Sequence, residues 1–304
     1  MQKAGFILAS TDMLRRGKRY IVWFYLLNVV FARLSAGPFS GSVHGILDHS
    51  LYADRLLHGL DLGVLIELIA RPEFGPVRSA SGAGVTFALL FFLASLLFMP
   101  GVLLGFASDH RIPREEFFRA CGRNVWRLLR LFVIFVLLAG MIMGLLFAVE
   151  GALANSVDAS SNDDRLPLLV AGGNLGLGFV LLTALRIWFD LAQTDAVLRD
   201  QPAIRKSIRW GFRVTCRNFF RLLGSYLLAA MVATFILLAG ISLWRALVPP
   251  DSVLGAFLVS QATLVLLLGS RFWQRALAVA FYLRHSTERE IEVSSDSLSA
   301  VPAP

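Results

Sequence analysis

Long uncharged apolar runs alternate with short basic, aromatic stretches along this chain. No charged residue lies between Arg78 and Asp109, between Arg130 and Glu150, between Arg165 and Arg186, between Arg221 and Arg245, or between Asp251 and Arg271. Each run is close to or beyond the roughly 20 helical residues that cross a hydrocarbon core, and together they predict five spans. A sixth precedes them in YIVWFYLLNVVFA, Tyr20 to Ala32, which is short unless its helix continues past Arg33 through Ser35 to Gly37, with Arg33 snorkelling to the far interface. A cleaved signal peptide competes for this segment, since a basic stretch precedes a short apolar core and small residues follow. The length of the leading segment and the charge of Arg33 favour the span. The expected fold is therefore all-α and polytopic, a transmembrane domain over 1–285 with about six spans near 20–37, 84–107, 131–149, 166–188, 222–244 and 253–275 and an outer segment over 38–79.

Composition agrees with the pattern. Of 304 residues 56% are hydrophobic and 16% are charged, and the mean hydropathy is +0.66. An ordinary soluble domain of this length is far more polar.

Orientation follows from Lys and Arg, which resist translocation. With the N-terminus inside, residues 1–19, 109–130, 186–221 and the stretch from 271 onward hold 23 of these residues against 6 on the opposite side. Both termini are thus expected on the cytoplasmic face. The net charge of +8 then needs no nucleic acid to explain it; the expected partner is the anionic headgroup layer of the cytoplasmic leaflet.

The basic stretches repeat. RNVWRLLR at Arg123–Arg130 returns as RNFFRLLG at Arg217–Gly224, and an offset of 94 also pairs Phe118 with Phe212, Arg119 with Arg213 and Arg127 with Arg221. An offset of 85 pairs Arg186 with Arg271, Trp188 with Trp273 and Arg199 with Arg284. The unit is a helical hairpin that begins at an Arg-x-x-x-Arg elbow and returns through an Arg-x-Trp exit: spans 3 and 4 form one copy, spans 5 and 6 another. Arg15 and Arg19 have the elbow spacing ahead of the first hairpin, a degenerate third copy. Parallel repeats of this kind occur in transporters without making every such fold one.

The elbow before span 5 carries Arg205, Arg209, Arg213, Arg217 and Arg221, every fourth residue, with aromatic residues between them. This spacing predicts an amphipathic interfacial helix that bends into the membrane. Together with Arg119, Arg123 and Arg127 of the first elbow, these arginines are the candidates for binding anionic lipid or an acidic partner, against the plainer role of setting topology. Asp190, Arg186 and Arg275 are candidate polar groups near the inner ends of spans 4 and 6. Arg275 aligns with Asp190, so an inter-helix ion pair is expected, with a proton- or substrate-coupling role for Asp190 as the alternative. Asn174 is expected to bond between helices, with a pore-lining role as its alternative. Gly101 and Gly105, Gly140 and Gly144, and Gly172 and Gly176 form G-x-x-x-G pairs that predict close helix contacts, and Pro100 is expected to kink span 2.

Outside the spans, LLHGLDLGVLIELIA places Leu56, Leu57, Leu60, Val64, Leu65 and Leu68 on one helical face, a surface helix. Asp54, His58 and Asp61, with His44 and His49 upstream, could ligate a metal, but the spacing matches no known ligand motif and no metal or other cofactor is expected. Cys121 and Cys216 form no C-x-x-C pair and are expected to stay reduced. Residues 286–304 are polar and expected to form a disordered cytoplasmic tail.

The paired RN-x-x-RLL elbows, the RIWFD exit and the opening RRGKRYIVWFYLLNV resemble uncharacterised six-helix bacterial inner-membrane proteins. The layout is more distantly similar to the membrane domain attached to some glycerophosphodiester phosphodiesterases. The resemblance implies a multi-pass protein of the bacterial cytoplasmic membrane, and it transfers no catalytic residue. No nucleophile, phosphate-binding or dinucleotide motif stands in a suitable context, so the expected function is non-enzymatic: binding of lipid or a partner protein, including a second copy, with handling of an amphiphilic substrate as its extension. A transporter or permease built from the hairpin repeats is the alternative.

Overall fold

The computed structural model describes residues 5–47, 75–160, 165–200, 203–249 and 252–299, with side chains for 5–36, 84–152, 171–200, 203–249 and 252–286. The described residues form eight helices and no strand: α1 (Phe6–Arg16), α2 (Lys18–Leu47), α3 (Gly75–Ala107), α4 (Arg114–Ser160), α5 (Arg165–Leu198), α6 (Ile204–Arg217), α7 (Phe219–Leu247) and α8 (Val253–Ser299). Five contain segments long and apolar enough to cross a membrane: Gly84–Ala107, Arg114–Ala152, Ala171–Leu198, Phe219–Leu247 and Val253–Ser286. In α4, Leu137, Leu145 and Phe147 are 67%, 66% and 64% exposed, and Phe235 of α7 is 72% exposed. Rows of large apolar side chains left uncovered in this way are incompatible with water; the chain is a helical, multi-pass membrane protein.

The helix of the first apolar run continues past Arg33, since α2 is unbroken to Leu47, but α2 is not among these five segments. Pro100 lies inside α3 without ending it. The expected surface helix, Leu56 to Leu68, lies outside the described residues. α8 stays helical to Ser299, within the segment whose composition led to an expectation of disorder; TEREIE supplies good helix formers there.

Two compact units divide the chain. One comprises Met1–Arg16, Met99–Ala230 and Trp273–Pro304. In it Leu131, Leu185, Phe189, Ala192 and Ala196 form a buried cluster, with Phe135, Trp188, Ile204 and Ile208 packed around it. Phe135 meets Phe189 edge-on at 5.4 Å. The second unit comprises Gly17–Phe98 and Met231–Phe272. There Phe24 packs edge-on against Phe98 and Phe272, at 6.4 and 5.0 Å, and Tyr25 donates a hydrogen bond to Gln261 Oε1 at 3.0 Å. A β-carbon on Gly240 would collide with the Thr263 side chain, so α7 and α8 approach closely at that point.

Small residues elsewhere correct the G-x-x-x-G expectation. A β-carbon added at Gly140, Gly144, Gly172 or Gly176 would meet nothing within 4 Å, whereas one at Gly101 would meet the Phe117 ring. Close approach depends on what faces the glycine, and four of these glycines face no neighbouring helix in the described structure.

Candidate functional site

Close contacts dock α1, α4 and α6 onto neighbouring helices of the first unit. Trp188 of α5 donates its indole N–H to the carbonyl of Ile208 in α6 at 2.8 Å. Trp273 of α8 donates to Ser10 Oγ of α1 at 2.9 Å. Gly101 of α3 accommodates Phe117 of α4. Phe117 and Gly211 are aligned by the offset of 94, and Gly211 is also a contact point. A β-carbon there would lie 2.9 Å from the Trp188 carbonyl oxygen and 3.1 Å from the Ala192 nitrogen, so only glycine lets α6 settle onto α5.

That contact fixes which way α6 faces. Ser207, Gly211, Val214 and Thr215 are buried, while Arg205, Lys206, Arg209, Phe212, Arg213, Cys216 and Arg217 are exposed. Arg209, Phe212, Arg213, Cys216 and Arg217 border an open depression of about 560 Å³. The predicted amphipathic helix is therefore present, and it ends where bending was expected: α6 stops at Arg217, Asn218 adopts φ −118° and ψ 28°, and α7 begins at Phe219. The first elbow differs, because α4 runs unbroken from elbow into span. Even so, Asn124 donates back to the Ala120 carbonyl at 3.1 Å and the aligned Asn218 to the Val214 carbonyl at 3.3 Å.

The two sets of arginines are compensated very differently. In α4, Arg119 pairs with Glu115 at 2.6 Å. Arg123 and Arg127 both reach Asp200, at 3.3 and 2.6 Å, and Arg127 also donates to Asn124 Oδ1 at 3.1 Å. Asp200 follows the end of α5 with φ 51°, a left-handed conformation that aspartate tolerates better than most residues. Its hydrogen bond from Arg127, reinforced by the charge of Arg123, holds its carboxyl below the usual carboxylate range. In the second elbow, no carboxylate among the described residues pairs with Arg205, Arg209, Arg213 or Arg217. Arg221 lies over the Phe6 ring at 5.0 Å.

A separate polar cluster ties α5 to α7 and α8. Arg275 donates to Asp190 Oδ1 and to Gln193 Oε1 at 3.0 Å. Tyr226 donates to Asp190 Oδ2 at 2.9 Å, and Arg186 lies 3.9 Å away. Asp190 and Asp195 are both buried; Asp195 accepts from Tyr282 at 3.2 Å and pairs with Arg199 at 3.4 Å. Asn174 donates to the Leu146 carbonyl and to Glu150 Oε2, both at 3.2 Å, joining α5 to α4. The aligned exits thus bring Asp190 and Arg275 together, as their spacing suggested. Tyr226, Gln193, Glu150 and Asp200 carried no comparable signal, because their partners are set by helix rotation and by the turn after α5.

Among the described residues no three histidine, cysteine or acidic side chains are placed to hold a metal. The side chains of His44, His49, Asp54, His58 and Asp61 lie outside that set. Cys121 is buried and Cys216 exposed, and neither forms a disulfide. No family model, curated protein or solved structure matches the chain.

Proposed function

We propose that this is a non-enzymatic component of the bacterial cytoplasmic membrane, with six spans in parallel hairpin repeats and both termini inside, whose α6 binds anionic lipid headgroups at the cytoplasmic interface. The observation that carries this reading is the row Arg205, Arg209, Arg213 and Arg217, exposed and without a carboxylate partner among the described residues. Four like charges on one helix repel each other, and a layer of lipid phosphates relieves that repulsion at about 1 kcal/mol per cation. The concentration of Lys and Arg at the same ends of the spans supports this placement. α2 is the sixth span, and α1 with its basic last turn, Arg15 and Arg16, leads into it as α6 leads into α7.

The transporter alternative draws on Asp190 and Asn174. Both are occupied, Asp190 by Arg275 and Tyr226 and Asn174 by α4, which supports a structural part for each. An acidic protein partner would use the same basic row as lipid does.

Native mass spectrometry of protein extracted with its surrounding lipid tests the proposal against a variant with Arg205, Arg209 and Arg213 changed to Gln. Selective retention of anionic lipid by the wild type, lost in the variant, is the expected outcome. Retention of an acidic protein in its place would make α6 a partner-binding surface, and the same unselective lipid mixture in both would reduce the row to a topology signal.

A further inference from the structure

The two repeats solve the same electrostatic problem in two ways. In the first, Arg123 and Arg127 grip one carboxylate, Asp200, at 3.3 and 2.6 Å. The aligned arginines of the second repeat are Arg217 and Arg221. Asn218 lies between them at the junction of α6 and α7, where its N–H bonds to the Val214 carbonyl at 3.1 Å and its carbonyl accepts from Leu222 at 3.0 Å. Among the described residues no carboxylate pairs with Arg217 or Arg221. The first repeat delivers one by ending α5 at Leu198 and turning left-handed at Asp200. The second repeat has His285 at the aligned position, and α8 continues as helix to Ser299.

Resting on the reading of α6 above, we infer that Arg217 and Arg221 hold the phosphate of an anionic phospholipid at the place where Arg123 and Arg127 hold Asp200. A guanidinium donates bidentately to phosphate oxygens as it does to carboxylate. Arg221 Cζ lies 5.0 Å over the centroid of the Phe6 ring, a contact that engages its charge without using its N–H donors. The apolar surroundings select lipid over an acidic peptide or free phosphate: Phe220 is 86% and Phe212 51% exposed, flanking the arginines where the chain enters α7. A phosphodiester with acyl chains satisfies both the charge and the rings.

The test uses the full chain in nanodiscs of phosphatidylcholine containing a minor fraction of phosphatidylglycerol, with the lipid retained after release counted by native mass spectrometry. The wild type retains phosphatidylglycerol in fixed ratio, and the Arg217→Gln, Arg221→Gln variant loses at least about tenfold of that retention, as expected when charge-assisted bonds are removed. Asp200→Asn frees the first clamp and gains a second retained phosphatidylglycerol. If the double variant retains the lipid while the Arg205, Arg209, Arg213 variant loses it, the clamp is refuted and the wider α6 reading stands. If the wild type, the double variant and the Arg205, Arg209, Arg213 variant retain the same lipids, both fall. Displacement of the lipid by inorganic phosphate, or failure of Asp200→Asn to gain any, overturns the assignment of a lipid phosphate to this place.

Discussion

Changing Asp190 to Asn removes one charge from the cluster that joins α5, α7 and α8. The Asp190 side chain is 4% exposed and that of Arg275 is 22% exposed, so the surviving cation keeps Gln193 as an acceptor and a limited route to solvent. Breaking one side of a buried pair costs about 3–5 kcal/mol; the partial exposure of Arg275 places the expected loss near the lower figure, about 3 kcal/mol. For a domain of this size, each kcal/mol lowers Tm by about 2 °C, so the expected fall is about 6 °C. The assay is thermal unfolding followed by tryptophan fluorescence in a single detergent. Replacing Asp190 and Arg275 together by Leu should recover part of the loss, because it leaves no stranded Arg275 charge, although the buried Tyr226 hydroxyl loses its acceptor. A fall of less than about 2 °C for Asp190→Asn, or a double variant no more stable than Asp190→Asn alone, would refute the structural account of this pair.

Gly211→Leu should lever α6 from α5, given only 2.9 Å between a β-carbon at that position and the Trp188 carbonyl oxygen, and raise tryptic cleavage at the α6 arginines, whereas Gly176→Ala, which meets nothing, should leave cleavage unchanged. The Asp200 carboxyl is held down by Arg127 and Arg123, so its link to α4 persists above the ordinary value of about 3.9 and is lost only as pH falls through the depressed folded value; a ¹³C carboxyl titration that places Asp200 at or above the ordinary value would contradict this. Trp273→Phe removes the donor to Ser10 and should loosen α1 by about 1 kcal/mol, read as faster proteolysis at Arg15 and Arg16.

Much of this architecture follows from elementary features of the chain. Uncharged runs locate the membrane helices because the hydrocarbon core excludes charge, and the offset of 85 singles out Asp190 and Arg275, which do pair. The limits are equally physical. The G-x-x-x-G pairs at Gly140 and Gly172 misled because small residues permit close contact without supplying a neighbour, while Gly211, in no such pair, lies against the α5 backbone. Asp200 is silent in the chain, since its reach to Arg123 and Arg127 depends on one left-handed residue. The distinction between the compensated arginines of α4 and the uncompensated row of α6 depended on that same turn and emerged only from the folded geometry.

Cys216 lies among the arginines on the exposed face of α6 and Cys121 is buried, so a spin label can be directed to that face in the otherwise unaltered chain. Electron paramagnetic resonance of the label, with oxygen and a water-soluble nickel chelate as relaxation agents, reports its depth in bilayers with and without phosphatidylglycerol. A label at headgroup depth that is shielded from nickel more strongly when phosphatidylglycerol is present would place the basic face of α6 on anionic lipid. A label equally open to nickel in both bilayers would show that face turned to water, and α6 would not be a lipid-binding helix.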